Sequence, residues 1–232
     1  MIVGRNYEAA IREYNTLLKE LTGDDANTLR LRRKTLYRLG RLHYLFMNLP
    51  DQALEYYKQV VAIDPRAPLS YNALAGMGKI YQDTMQNYPQ AVLAYQTLIA
   101  YFPRHKNLER YRYRLIDSYF KMGNFSQVRA EGRMALALKP DGRYSDDILY
   151  LVAEACLMEG DRQEAESSLR EIIEKYPKSE WKAQAHYELA EMMEGRGELE
   201  EALKNYREAY LKFGDSAVLK KKIETIGKRL GK

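Results

Sequence analysis

Cysteine is almost missing from this 232-residue chain, with Cys156 standing alone. A disulfide framework is thereby excluded. Histidine occurs three times, as His43, His105 and His186. No His-x-x-x-His, Cys-x-x-Cys or Glu-x-x-His spacing joins two ligands, so no metal site is expected. Neither a glycine-rich phosphate loop nor Gly-x-Ser-x-Gly is present, and we expect no cofactor and no catalytic centre. No apolar run approaches the roughly 18 residues of a membrane-spanning helix. The stretch from Met1 to Tyr7 lacks the apolar segment of a signal peptide. No Pro/Gly/Ser-rich linker or low-complexity run divides the chain, which reads as one domain over 1–232.

What the chain has instead is a period. Gly123, Gly160 and Gly197 lie 37 residues apart, as do Val128, Ala165 and Ala202, and Ala135, Ile172 and Ala209. Gly132, Leu169 and Tyr206, then Pro140, Pro177 and Gly214, follow the same spacing without a gap. A fixed period of roughly 34–40 residues with this chemistry predicts a stack of helical hairpins. In the copy over 141–177, Leu149, Val152, Ala153 and Cys156 form the apolar stripe of a first helix. Gly160 ends that helix by entering the left-handed region without a Cβ penalty. Ala165, Leu169 and Ile172 then line the second helix, and Pro177 stops it. Cys156 falls on the buried stripe and reads as a core thiol, not a nucleophile.

These residues resemble the tetratricopeptide repeat (TPR) family, whose Leu-Gly, Tyr, Ala, aromatic, Ala and Pro positions read here as Leu39-Gly40, Tyr81, Gly123, Ala165, Tyr206, Ala209 and Pro177. The resemblance implies an all-α, right-handed superhelix. Five full repeats are expected at about 27–65, 66–103, 104–140, 141–177 and 178–214. The first two carry one extra residue each, which we place at the hairpin turns near Asn48-Leu49-Pro50 and Gln86-Asn87-Tyr88. Residues 5–21 read as a second helix without its first, a half repeat able to leave an apolar face for another protein or a second copy. Residues 215–230, with Leu219, Ile223, Ile226 and Leu230 on one face, read as a capping helix. The phrase from Lys175 to Ala190 is similar to bacterial envelope TPR families of the BamD and CpoB kind. That similarity implies a part in envelope assembly, in the periplasm or at the outer membrane if a leader was removed. A cytoplasmic adaptor and a nucleic-acid-associated regulator are the competing readings.

Charge is uneven. Residues 1–140 carry 21 Lys/Arg against 12 Asp/Glu, residues 141–201 carry 7 against 17, and residues 202–232 carry 9 against 3. A nucleic-acid track would want one sign along one face, so nucleic acid is not the expected partner. The runs Arg30–Lys34 and Arg110–Arg114 fail that test, because alternate residues of one helix do not share a face.

In TPR proteins the first helices line a concave groove, and the resemblance carries its partner-facing positions onto this chain. The first repeat offers Lys34, Tyr37, Arg41 and Tyr44, and the second Asn72, Ala75, Lys79 and Gln82. The third offers Arg110, Tyr113, Asp117 and Phe120. The fourth offers Asp147, Tyr150, Glu154 and Leu157, and the fifth Gln184, Tyr187, Glu191 and Glu194. Tyr37, Tyr113, Tyr150 and Tyr187 share one slot, a ladder suited to a peptide or protein segment. The competing account has them packing against the neighbouring first helix. The slots grade from basic to acidic, which would orient a segment of opposite gradient. The carboxylate clamp of chaperone-tail TPRs is absent, since Tyr37, Arg41 and Lys79 stand at its places. The expected function is a non-catalytic scaffold or adaptor.

Overall fold

The computed structural model describes residues 2–214 and 216–231, with side chains from Tyr7 onward. The Arg5 side chain at the head of the expected half repeat, and Asp215 at the head of the expected capping helix, lie outside the described residues. Twelve α-helices and no strand occur among those described. The chain divides into two compact units, 1–118 and 119–232, with the division falling inside one helix.

The first unit holds α1 (Ile2–Glu20), α2 (Ala26–Leu45), α3 (Pro50–Ile63), α4 (Pro68–Lys79) continuing as a π-helical turn (Ile80–Thr84), α5 (Tyr88–Tyr101) and most of α6 (Leu108–Lys121). Its hairpins close by pairing glycine with tyrosine. A Cβ on Gly40 would stand 2.5 Å from Cε1 of Tyr57, and one on Gly78 would stand 2.3 Å from Cε1 of Tyr95. Gly76, on the next first helix, meets the other edge of Tyr57. Each buried ring thus lies flat against bare backbone, and only glycine leaves room.

The extra residue of the first two repeats sits slightly earlier than the sequence alone suggests. Asn48 and Gln86 are left-handed, at φ 54° and 51°, and each is followed by the cap residue of the second helix, as Gly160 and Gly197 are. The loops therefore match those of later repeats. The surplus is absorbed in the last turn of the first helix, where Met47 N–H bonds Leu42 O and Met85 N–H bonds Ile80 O, each spanning five residues. Widening one turn keeps the flanking N–H groups of Met47, Leu49, Met85 and Asn87 bonded to the first helix.

The second unit holds the end of α6 and then α7 (Phe125–Leu138), α8 (Ser145–Glu159), α9 (Arg162–Lys175), α10 (Lys182–Arg196), α11 (Leu199–Phe213) and α12 (Ala217–Arg229). Gly123, Gly160 and Gly197 adopt φ of 70°, 80° and 80°, and Asn124 and Asp161 then cap the following helices. Here bulk is shared differently. Ala153 faces Leu169 in one core cluster, and Ala190 joins Tyr206 in the next. Gly132 leaves space for Val152, whose Cγ2 would stand 2.3 Å from an added Cβ. Cys156 is fully buried, and burial pushes its thiol up to about 12, so it is an inert core group. Leu219 and Ile226 of α12 are buried against Met193, Leu203 and Tyr206, as a cap requires.

Neighbouring hairpins of this unit are also stapled by ion pairs that reverse sign from one interface to the next. Arg129 on α7 binds Glu159 (2.6 Å), Asp161 (2.6 Å) and Glu164 around the next hairpin turn. One repeat later Glu166 stands in the Arg129 position and accepts from Arg196, at 2.6 Å, in the Glu159 position. Contacts with Arg133 and Arg129 hold the Glu164 carboxyl down at about 2.

Candidate partner-binding faces

In the first unit Lys34, Arg41, Lys79 and Arg110 are exposed, and none pairs with an acid among the described residues. They give this unit's first-helix face free positive charge. Tyr37 is half-buried with its ring 5.7 Å from that of Tyr57, and burial raises its hydroxyl pKa against the pull of Arg41. Tyr44 Oη lies 3.2 Å from Thr84 Oγ1 on the π turn. Tyr113 is half-buried.

Asp117 and Gln82 have a different part. The π turn aims the Gln82 amide inward, where its Nε2 donates to Asp117 Oδ2 at 2.7 Å and its Oε1 accepts from Tyr95 Oη (3.0 Å) and Arg114 Nη1 (2.8 Å). The same Arg114 nitrogen reaches Asp83 at 2.7 Å. This polar cluster satisfies itself, and the two groups join neighbouring first helices.

In the second unit the expected residues form two clusters. Asp147, Tyr150 and Glu154 gather around two groups absent from the expected slots, Trp181 and Glu188. The Trp181 indole donates to Asp147 Oδ1 at 2.8 Å and stacks on Tyr150 with centroids 4.1 Å apart and planes 6° from parallel. Tyr150 Oη donates to Glu188 Oε1 at 2.7 Å, and Gln184 Nε2 donates to the same oxygen at 2.9 Å. Glu188 Oε2 is buried without a hydrogen-bond partner. Burial, reinforced by the neighbouring Glu154 carboxylate, pushes Glu188 up to about 7, and burial also raises Asp147. Held this way beside Glu154, Glu188 keeps its proton to higher pH than an ordinary carboxyl.

Tyr187 and Glu191 lie in the other cluster. The ring of Tyr187 meets Tyr206 edge-on at 5.9 Å. Glu191 and Glu194 each accept from Tyr206 Oη and from Lys222 of α12, at 2.7–2.9 Å. The capping helix therefore supplies the cation here. Phe120 packs edge-on against Phe125, 5.6 Å away.

Trp181, Glu188 and Arg114 escape a sequence reading that follows only the slots TPR proteins turn into the groove. Glu188 occupies the slot of Arg38, Gly76, Arg114 and Leu151, one residue past the tyrosine ladder. The signal available was the single tryptophan opening a helix beside an acidic neighbour. Among the described residues no group of His, Cys, Asp and Glu could hold a metal ion, and no helix is long and apolar enough to cross a membrane.

The chain finds no match among the curated proteins. Solved structures do resemble it. MamA aligns at 20% identity over 77% of this chain and 96% of its own, with a TM-score of 0.62. YrrB, described as a TPR protein with an unusual peptide-binding site, aligns at 18% identity over 89% and 95%, also at 0.62. PilW, a type IV pilus biogenesis factor, aligns at 14% identity over 97% and 92%, at 0.56. Identities this low speak for the fold, an all-α tetratricopeptide solenoid. A tetratricopeptide repeat profile matches residues 34–67, and the profile of YfiO, described as outer membrane lipoprotein, matches residues 79–206. That second match spans more than half of the chain, which therefore belongs to the YfiO outer membrane lipoprotein family on a tetratricopeptide repeat fold.

Proposed function

We propose that this protein is a non-catalytic scaffold of bacterial envelope assembly that holds segments of partner proteins on the first-helix faces of its two units. The observation that carries the reading is the Glu188 site: a buried carboxylate oxygen without a donor, beside Glu154 and a stacked Tyr150–Trp181 pair. An arginine or lysine arriving there would meet two carboxylates beside the stacked aromatic pair. The second unit accordingly selects basic segments. The first unit, with Lys34, Arg41, Lys79 and Arg110 unpaired and Tyr37, Tyr44 and Tyr113 between them, selects acidic ones. Membership in the YfiO family supports the envelope setting.

Fractionation of the native producing cell, together with an outer-membrane permeability assay, tests this. The protein is expected in the envelope fraction, and Glu154→Lys with Glu188→Lys should raise detergent sensitivity at unchanged protein level. Recovery in the cytosol with no permeability change would overturn the envelope setting and favour a cytoplasmic adaptor.

A further inference from the structure

Each complete hairpin of the first unit has the same closure. The second helix carries an alanine and, four residues on, a tyrosine, and the first helix covers that tyrosine with glycine: Gly40 over Tyr57 beside Ala53, and Gly78 over Tyr95 beside Ala91. All four covered residues are buried, at 0–3% exposure. Helix α1 repeats the pair as Ala10 and Tyr14, but no first helix covers it among the described residues. Both are only half-buried, and with Tyr7, Leu42 and Phe46 they line an open, mostly apolar cleft of about 410 Å³ rimmed by Arg38 and Arg41.

The other side of Tyr14 is in register with the complete hairpins. Arg38, Gly76 and Arg114 lie 38 residues apart, and each touches or neighbours the tyrosine of the preceding second helix. The Arg38 guanidinium lies 5.6 Å from the Tyr14 ring centre and donates to its Oη at 3.0 Å. Gly76 meets Tyr57, and Arg114 shares Gln82 Oε1 with Tyr95. Arg114 is paired by Asp83, five residues beyond the Gly78 that covers Tyr95, at 2.7 Å. Arg38 has no acid partner among the described residues.

We propose that the α1–α2 cleft seats an amphipathic α-helix of a partner protein, which presents glycine to Tyr14 and, five residues later, Asp or Glu to Arg38. Glycine is required because even a Cβ would strike the ring, as it would in the complete hairpins. The acid follows from the register of Asp83 and from the two unpaired arginines at the rim. This seat is separate from the Glu188 site and stands whether or not that site binds a basic segment.

The probe is a fluorescein-labelled synthetic peptide of residues 66–86 of this chain, which carries Gly78 and Asp83 in the required register. It is titrated against the full chain and read by anisotropy. Saturable binding is expected, weakened at least tenfold by Arg38→Glu and restored when that variant meets an Asp83→Arg peptide. A Gly78→Leu peptide should bind at least tenfold worse. Ala10→Arg should abolish binding, with circular dichroism confirming the fold. Should that variant not fold, the exposed Arg38→Glu exchange decides alone. No saturation below about 1 mM, or indifference to Arg38→Glu, would overturn the proposal. So would a dimer of the full chain that Ala10→Arg splits, or a crosslink from Ala10 to a helix of the same chain, since each names a different occupant.

Discussion

The two units build the same hairpin with different choices. In the first, the first helix gives up its side chain and the second supplies a tyrosine, Gly40 with Tyr57 and Gly78 with Tyr95. In the second, small and large residues are spread over several positions: Ala153 with Leu169, Ala190 with Tyr206, and Gly132 against Val152. The turns differ likewise. The first unit accepts left-handed Asn48 and Gln86 after a widened helical turn, whereas the second uses left-handed glycine after an ordinary one. The charged residues at the expected first-helix slots are mostly cationic in one unit and acidic in the other. One periodic frame thus tolerates exchange of bulk, turn chemistry and charge, provided each change is answered one repeat away.

The comparison breaks most visibly at the glycine–tyrosine contacts. Gly78→Val should cost about 3 kcal/mol or more in urea denaturation, because the Tyr95 ring is fully buried and cannot move aside. Pairing Gly78→Ala with Tyr95→Leu, which copies the Ala153–Leu169 arrangement, should recover a large part of that loss. Gly195→Ala is the control. Its Cβ would meet nothing within 4 Å, and the exchange should stabilise by about 0.5–1 kcal/mol.

A pH titration next separates two carboxylates of the second unit. Glu188 binds its proton more tightly when folded, at about 7 against an ordinary 4.5, so folding is favoured while it is protonated. Stability should therefore fall as pH rises from about 4.5 through 7, by on the order of 1–3 kcal/mol. Glu188→Gln should flatten that limb. Glu164 gives the opposite slope. Its carboxyl is held at about 2, so the stability it contributes is present above 4.5 and lost as pH falls toward 2. Arg133→Ala should shrink this acid limb and leave the neutral one untouched.

The smallest expected effect lies in the turns. Gln86→Gly should stabilise by about 1 kcal/mol, since a side chain at φ 51° is strained and glycine is not. Asn48→Gly should change little, because asparagine tolerates that region. Chemical denaturation midpoints at constant m-value would show both.

Much of this architecture is legible in the sequence because a solenoid repeats its backbone events. Gly123, Gly160 and Gly197 mark the same left-handed residue three times, so one register accounts for three hairpins. The first two turns are harder to read. Neither Asn48 nor Gln86 announces a left-handed residue as glycine does, and a sequence cannot show that an extra residue widens a helical turn. The candidate faces are legible by slot but not by partner. Asp117 is expected to face a ligand, and its contact with Gln82 could not be read from spacing. Glu191 meets Lys222, whose helix reads in sequence only as a cap. Glu188 escapes notice because its meaning depends on being buried next to Glu154, and burial of a carboxylate is a property of neighbours, not of spacing.

The central claim, that the second unit holds a basic segment, is tested most directly by photo-crosslinking from position 154 in the native cell, with sequencing of the attached peptide. The account predicts one dominant adduct whose crosslinked segment is rich in lysine and arginine, and its loss when Glu188 is changed to Lys. An acidic segment, or an adduct indifferent to Glu188→Lys, would contradict it.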